Sequence, residues 1–360
     1  MRYPIRRFVL LFLVMAPAAL LAQGVRKYSN EFLKIGVGAR AAAMGNAMSG
    51  IADDATAGYW NPGGLLSAPA APEVALMHSE YFAGIAKYDF IGFTMPVGEN
   101  RRFGASAIRL GVDDIPNTLN LVDPNGNVDF SAVQSFSVAD LGVLLSVAQR
   151  FEALGGLDVG ASVKVVNRSV GKFANAWGFG FDLGARWNRG PLRLGLMLAD
   201  ATGTFNAWSF NTETFGQAFA QTGNVIPENS LEVTLPSMRV GGGYTLMRGR
   251  ALEILLAMDG DVHFDGKRNV ALNMGRVSLD PHMGVEMGYK GVAFLRGGFK
   301  NLQKIPDLDG GTYPAVFPCV GAGFKIKSFS VDYALSNVGR FSQTLYSHVF
   351  SLKYSFVKDK

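Results

Sequence analysis

Cysteine is almost absent from the sequence, since Cys319 is the only one among 360 residues. A single cysteine cannot form an intramolecular disulfide or supply a thiolate cluster for a metal ion. No G-x-S-x-G motif marks a nucleophile, and no H-E-x-x-H motif or close histidine pair marks a metal site. The four histidines are scattered at His78, His263, His282 and His348. The sequence therefore predicts no metal ion, no cofactor and no catalytic residue.

Long apolar runs are absent beyond the first residues. Arg2, Arg6 and Arg7 precede an apolar run at 8–21, which is shorter than the ~20 residues of a membrane-spanning helix. This pattern predicts a secretory signal peptide at 1–22, cleaved after Ala22, with a retained anchor as the alternative. No later apolar run reaches the length of a membrane helix.

Excess positive charge is small once the signal peptide is removed. The chain has 34 basic and 29 acidic residues, which gives a net charge of +5. Without the three signal arginines, 31 basic residues (34 − 3) face 29 acidic ones, and the net charge falls to +2. The basic character is mostly a property of the signal peptide, so the sequence predicts no nucleic-acid partner.

Glycine is abundant, at 44 of 360 residues, and much of the chain alternates apolar with small or polar residues. In the stretch 177–187 the odd positions are apolar, while the even positions are glycine, Asp182 and Arg186. An extended strand places these two sets on opposite faces. Its ten residue steps rise ~33 Å, or ~23 Å of height at a tilt of ~45°, close to the ~25 Å apolar band of an outer-membrane barrel. This length favours a lipid-facing wall over a soluble sandwich, and it predicts Trp177 and Trp187 as an aromatic girdle at the two membrane interfaces.

The same alternation predicts fourteen antiparallel strands, although both faces are mixed at 73–80 and 101–111. An even number brings both ends of a barrel to one side of the membrane. Tight connections after the even-numbered strands, and long ones at 112–136, 202–235, 262–280 and 301–315, predict periplasmic turns, external loops and periplasmic termini. The fold class is all-β, a transmembrane barrel in a Gram-negative outer membrane, surrounded by lipid and lipopolysaccharide. The strands are predicted at 73–80, 87–97, 101–111, 137–151, 156–168, 173–187, 191–201, 236–247, 250–261, 281–290, 291–300, 316–326, 328–337 and 344–357.

Fourteen strands enclose more space than the side chains of the wall can fill, because about eight strands already give a filled interior. The only long segment without strand alternation is 24–70. We therefore predict a plug or hatch segment at 23–70 inside a barrel formed by 71–360.

A glycine pattern in this segment resembles a dinucleotide-binding motif, since Gly36, Gly38 and Ala41 fit G-x-G-x-x-G/A. That motif needs a buried strand before it and a helix after it in a βαβ unit, and no parallel α/β pattern follows here. The small residues are instead expected to let a short helix or turn pack closely inside the barrel. The nearby Arg40, Asp53 and Asp54 are expected to face lumen charges such as Asp182 or Glu286.

Two stretches of this segment resemble a known family signature. FLKIGVGARAAAMGNA at 32–47 and ADDATAGYWNPGGL at 52–65 are similar to the N-terminal signature of the PorV/PorQ family, FadL-like outer-membrane barrels of Bacteroidetes and neighbouring phyla. The resemblance implies a type IX secretion component that binds translocon partners or the C-terminal domains of cargo. NPGGL at 61–65 is also similar to the NPA element of fatty-acid transporters. The signature positions are Phe32, Gly36, Gly38, Arg40, Gly45, Asp54, Asn61 and Pro62.

The predicted external loop at 202–235 is rich in aromatic residues and is the candidate partner-binding surface. Such a loop could seal the barrel, contact lipopolysaccharide or bind a partner. A second external stretch, DGDVHFDG at 259–266, is similar to a calcium loop, but it lacks the fifth ligand and the turn glycine, so an ordinary charged loop is favoured. The candidate partner-loop residues are Phe205, Trp208, Phe210 and Phe215.

Three functions follow from these patterns. The first is a non-enzymatic component of type IX protein secretion that acts through its external loops. The second is a FadL-like transporter of hydrophobic small molecules, with the N-terminal segment as a movable hatch. The third is a structural barrel without transport, and a barrel enzyme is less favoured because no carboxylate pair can be placed in a cleft.

Overall fold

The computed structural model describes residues 29–123, 125–213, 219, 225, 228–266, 268–270, 272–306, 311–336 and 347–356. The predicted signal peptide at 1–22 and Phe215 lie outside these residues. Seventeen strand segments are described: β1 (Glu73–Tyr81), β2 (Ala86–Pro96), β3 (Arg101–Asn117), β4 (Gln134–Phe151), β5 (Leu157–Val170), β6 (Ala174–Arg189), β7 (Leu192–Ala199), β8 (Thr204–Phe210), β9 (Ser230–Thr234), β10 (Ser237–Leu246), β11 (Leu252–His263), β12 (Leu272–Asn273), β13 (Ser278–Tyr289), β14 (Ala293–Pro306), β15 (Thr312–Ile326), β16 (Phe329–Ser336) and β17 (Ser347–Ser355).

These segments form one closed antiparallel barrel of fourteen strands. β7 and β8 both pair with β6, so they are two consecutive segments of one barrel strand. β9 pairs with β8 and β10 pairs with β7, so β9 and β10 are two segments of the next barrel strand. β12 is a two-residue segment of a connection and pairs with β13. Subtracting these three extra segments from seventeen leaves fourteen (17 − 3). β1 pairs with β17 from Glu73↔Ser355 to Glu80↔His348, which closes the ring, so the predicted all-β fold with fourteen antiparallel barrel strands is confirmed.

The two faces of the wall divide as the alternation predicts. On β6, Trp177 and Phe179 are 55% and 60% exposed on the outside, while Asp182 and Arg186 are each 2% exposed on the inside. The outward apolar side chains satisfy the requirement of a hydrocarbon environment. The buried charges show that the polar core of the protein is the lumen.

The two ends of the barrel differ. We call the end with the β2–β3, β4–β5, β6–β7, β10–β11, β13–β14 and β15–β16 connections the turn end, because each is short. The opposite end is the loop end. Three loops predicted there are shorter than expected, because the ladder continues into them: β3 runs to Asn117, β14 runs to Pro306, and 202–235 contains β8 and β9.

Helices are few and short. α1 (Ala39–Ala43) and α2 (Ala57–Trp60) lie before the first strand, with 3-10 turns at Glu31–Lys34 and Pro62–Ser67. Two further 3-10 turns, Phe130–Ala132 and Glu152–Leu154, lie in connections. In the part of the chain that the structure describes, no helix is long and apolar enough to cross a membrane.

Candidate functional site: the barrel lumen

Residues 29–68, which we call the N-terminal segment, lie inside the ring of strands. Arg40 binds Glu286 on β13, Asp54 binds Lys353 on β17, and Asn61 donates to the Ala185 carbonyl on β6. Strands on opposite sides of the ring therefore contact the same segment. Its large side chains are fully buried, among them Met44, Met48, Ile51, Trp60 and Leu65.

Glycines of the wall let the segment approach the backbone of the strands. A Cβ added at Gly160 would lie 2.3 Å from the carbonyl carbon of Pro62, and one at Gly195 would lie 2.2 Å from the Ser49 oxygen. Gly284 and Gly298 have the same relation to Met44 and Gly45, at 2.5 and 2.6 Å. The alternation in the sequence predicts glycine on the inner face, but it does not indicate which backbone atoms approach each glycine.

The first mutational prediction tests this fit. We expect Gly160→Val to force the Pro62 region away from β5, because no side chain fits within 3.0 Å of backbone atoms. Limited proteolysis of the folded barrel should then cut the N-terminal segment at least tenfold faster than in the wild type. Gly297→Val is the matched control, since the nearest atom to its added Cβ is 4.0 Å away. Equal cleavage rates in the two variants would contradict a tight contact at Gly160.

Arg40 joins the N-terminal segment to the wall. Its guanidinium donates to both Glu286 carboxylate oxygens at 2.8 and 2.9 Å and to Asp53 at 2.6 Å. Burial alone would lower the pKa of Arg40, but the carboxylates of Asp53 and Glu286 outweigh it and raise the pKa well above its usual value. This ion pair was predicted from the sequence for Glu286. The alternative partner from the sequence, Asp182, binds Lys164 instead.

A second ionic contact lies at the seam between the first and last strands. Lys353 binds Asp54 at 2.9 Å and Asp332 at 3.5 Å. Burial alone would raise the pKa of Asp54, but the Lys353 ammonium and the Thr56 hydroxyl outweigh it and hold the pKa below its usual value. The ion pair between Asp54 and Lys353 therefore fixes the segment to β17.

Backbone groups of the segment are held by the wall as well. Asp259 accepts hydrogen bonds from the amides of Met48 and Ser49 at 2.9 and 2.7 Å, and the ring of His282 lies 3.0 Å from the Gly45 carbonyl. Asp259 belongs to β11, so the DGDVHFDG stretch is strand up to His263 and loop only after it. Among the described residues no group of three or more potential ligands could hold a metal ion.

The predicted signature residues all lie in this segment and have local structural roles. Gly36 and Gly38 have φ angles of +102° and +94°, which favour glycine, and the amide of Gly36 donates to the Tyr59 hydroxyl at 3.1 Å. Asn61 accepts from the amide of Gly63 at 3.1 Å and donates to the Ser49 carbonyl at 2.9 Å. The G-x-G-x-x-A pattern is thus a backbone turn at Gly36 and Gly38 that leads into α1, which contains Ala41. The remaining signature residues are buried or part-buried at Phe32, Arg40, Gly45, Asp54 and Pro62.

Above the segment, towards the loop end, lies a cavity of about 60 Å³. Its charged side chains are paired: Lys164 contacts Asp182 at 2.7 Å and Asp200 at 2.6 Å, and Arg239 contacts Asp261 at 2.6 Å. Lys34 contacts Glu31, next to the cavity, at 2.8 Å. Because these charges are paired, the cavity offers no free ion to a charged ligand. Its remaining lining includes the apolar side chains of Leu33, Leu144, Met197 and Met238.

Aromatic side chains lie together on one side of the mouth at the loop end, on β4, the β5–β6 turn and β8. Trp208 and Phe210 stack with ring centroids 6.0 Å apart, and Phe136 meets Phe173 edge to face at 5.0 Å. Glu232 accepts from the Trp208 indole at 2.7 Å, and the Arg168 guanidinium lies 5.1 Å from the Trp208 ring. We call these four aromatic residues the mouth aromatics.

Three of the four candidate loop residues lie in a strand, which corrects the sequence prediction, and the fourth, Phe215, lies outside the described residues. Phe205, Trp208 and Phe210 belong to β8. Phe205 is exposed on the outside of the barrel, whereas Trp208 and Phe210 share the inward face with the buried Thr204 and Asn206. The sequence suggested a loop here, because few of the outward residues that alternate with the polar inward residues are apolar. β8 and β9 nevertheless form a paired extension of the wall.

The two predicted girdle tryptophans lie at opposite ends of β6. Trp177 is exposed near the loop end, and the Trp187 indole donates to the Gly155 carbonyl at 3.3 Å near the turn end. Both are on the outward face, as the alternation requires. Their place at the membrane interfaces stays a prediction.

Comparisons with known proteins show the fold. No family model matches the chain, and no curated protein matches it. The CymD monoaromatic hydrocarbon channel is similar with a TM-score of 0.59 and 14% identity, over 89% of this chain and 98% of that one. The Pseudomonas putida toluene transporter TodX gives 0.57 and 16%, over 89% and 98%. A Pseudomonas aeruginosa FadL homologue gives 0.53 and 12%, over 89% and 98%. The chain thus has the fold of a FadL-like barrel.

Proposed function

We propose that this barrel is an outer-membrane channel for hydrophobic small molecules, which enter at the loop end and pass the N-terminal segment. The observation that carries the proposal is the set of mouth aromatics. Trp208, Phe210, Phe136 and Phe173 present ring faces and edges to the inside of the mouth. Aromatic and apolar linings with a few oriented polar groups are typical of small-molecule sites.

The filled lumen supports gated passage over free diffusion. A porin keeps a water-filled channel, whereas here buried residues of the N-terminal segment occupy the interior. A molecule can pass only when part of this segment moves. On the turn side of the segment a second cavity, of about 440 Å³, is lined by Arg40, Asp53 and Glu286 among others. Movement of the N-terminal segment would connect the two cavities, and the segment would then act as the predicted hatch.

The similar structures support a substrate class. Two of them are described as a monoaromatic hydrocarbon channel and a toluene transporter. An uncharged aromatic hydrocarbon is compatible with a cavity whose charges are already paired, but the cavity of about 60 Å³ must widen by movement of the N-terminal segment to admit it. We therefore choose toluene as the test ligand.

The second mutational prediction concerns this ligand. We expect Trp208→Ala combined with Phe210→Ala to reduce uptake of labelled toluene at least fivefold in cells that lack other hydrocarbon channels. Phe205→Ala is the matched control, because Phe205 lies on the same strand but faces outward. Equal uptake by the double variant and the control would overturn entry through the mouth aromatics.

The secretion role implied by the PorV/PorQ resemblance is the second candidate. Its support is the N-terminal signature, whose residues fold as a lumen segment rather than as an exposed docking surface. The experiment that separates the two roles is deletion of the gene. Retention of cargo in the periplasm with normal toluene uptake would favour secretion, and the reverse result favours the channel. The outer-membrane location and the periplasmic position of the termini belong to the same proposal.

A further inference from the structure

Charged side chains lie on the outward face of β1, β2 and β3, where the rest of the wall is apolar. The His78 ring is 2.7 Å from the Asp89 carboxylate, and the Arg109 guanidinium is 3.7 Å from it. These three residues are direct cross-strand partners. Their side chains are 49%, 42% and 44% exposed. We call them the ion row.

More charges continue the ion row towards the loop end. Glu80 lies 3.8 Å from His78, and Lys87 lies 3.2 Å from Asp113. The face therefore carries both signs, interleaved within a small area. None of these charges points into the lumen, so they have no place in the passage proposed above.

The height of the ion row makes lipid an unsuitable neighbour. Asp89 is 8 residues (97 − 89) from the turn that begins at Val97, whereas Trp177 is 13 residues (190 − 177) from the turn at Gly190. With ~2.3 Å of height per residue in a tilted strand, the row lies inside the apolar band of the wall. Ionised side chains facing hydrocarbon are strongly disfavoured unless something covers them.

A groove of about 560 Å³ adjoins the ion row on the outside of the barrel. Its exposed lining is apolar on both sides of the row, with Leu76, Ile91, Leu141, Phe350 and Leu352. A polar centre within an apolar surround is suited to close contact with another protein surface that has the same two components.

We propose that the outward face of β1–β3 is an interface between two copies of this chain. A two-fold interface brings one patch against itself, so each cation must meet an anion of the same patch. The ion row and its neighbours meet this condition because they carry both signs. Contact between two copies would remove the charges from hydrocarbon. The lumen and the mouth aromatics would stay free.

Cysteine crosslinking of the full mature chain in outer-membrane vesicles tests the proposal. In a Cys319→Ala background, Leu76→Cys, Ile91→Cys and Phe350→Cys are made one at a time and oxidised. We expect at least one of them to give a crosslinked dimer as the main product. Leu256→Cys is the matched control: it is exposed on β11, seven barrel strands from β2 in either direction, and should stay monomeric.

Charge variants show whether the ion row forms the contact. Arg109→Asp, added to the crosslinking variant, should reduce the dimer at least fivefold, and Asp89→Arg together with Arg109→Asp should restore it. Heat-modified migration on gels checks that each barrel is folded. A monomeric mass in lipid nanodiscs overturns the proposal. A dimer that crosslinks at none of the three positions, or one unaffected by Arg109→Asp, would use another face and overturns it equally.

Discussion

Deletion of residues 29–68 is expected to turn a closed barrel into an open pore. Fourteen strands enclose more space than the wall side chains fill, and the N-terminal segment occupies that space. Without it, the inward glycines and charges would face water. We expect the ion conductance of the purified barrel in planar bilayers to rise at least tenfold.

A point variant tests the same closure of the lumen while the N-terminal segment stays in the chain. Arg40→Glu would place a carboxylate against Glu286 and Asp53, and like charges at such distances repel. We expect intermittent openings with a conductance close to that of the deletion. Arg101→Glu is the control, because Arg101 is exposed at the turn end and donates to the Gln149 side chain of the wall at 3.0 Å. Silent bilayers with both the deletion and Arg40→Glu would contradict a lumen closed by this segment.

Lys164→Met is expected to destabilise the barrel by about 3–5 kcal/mol, the cost of removing one partner from a buried ionic cluster. Lys164 is 5% exposed and binds both Asp182 and Asp200. Its loss leaves two buried carboxylates without their shared cation. The urea concentration at half-unfolding in detergent micelles, followed by heat-modified migration, measures the change.

Two further variants make this result specific. Lys87→Met removes a cation from an exposed pair with Asp113 and should leave the unfolding midpoint unchanged. Adding Asp182→Asn and Asp200→Asn to Lys164→Met should recover part of the lost stability, because the uncompensated charges disappear. An unchanged midpoint in Lys164→Met would show that the cluster is hydrated and contributes little.

The fold could be predicted from the sequence because lipid imposes a strict rule on every strand. Outward residues must be apolar, so the period-two pattern of 177–187 marks both the strand and its faces. This requirement for apolar outward residues is weaker where the strands extend beyond the apolar band of the wall. There Thr204, Asn206 and Glu232 face inward on β8 and β9 without a strong apolar alternation, and the sequence suggested a loop.

The interior was predicted less completely, since it depends on which distant residues meet. The pairing of Arg40 with Glu286 followed from the need of buried charges for partners. The partner of Asp182 could not be predicted in the same way. Lys164 is on the adjacent strand, and whether it meets Asp182 depends on the register between β5 and β6. The mixed faces at 73–80 and 101–111 were a real signal, as they contain His78 and Arg109 of the ion row.

The seam between β1 and β17 has a consequence for biogenesis. Ala39 donates to the Ser351 hydroxyl at 2.8 Å, and Glu73 accepts from Ser355, so residues made early are fixed by residues made much later. Contacts this far apart in sequence form slowly. During insertion these contacts of the N-terminal segment can form only after the hairpin of β16 and β17 has joined the open barrel. Pairing of β17 with β1 closes the wall against the bilayer and also fixes the N-terminal segment in the lumen. A chain truncated near residue 350 would therefore lose both the closed wall and the fixed segment.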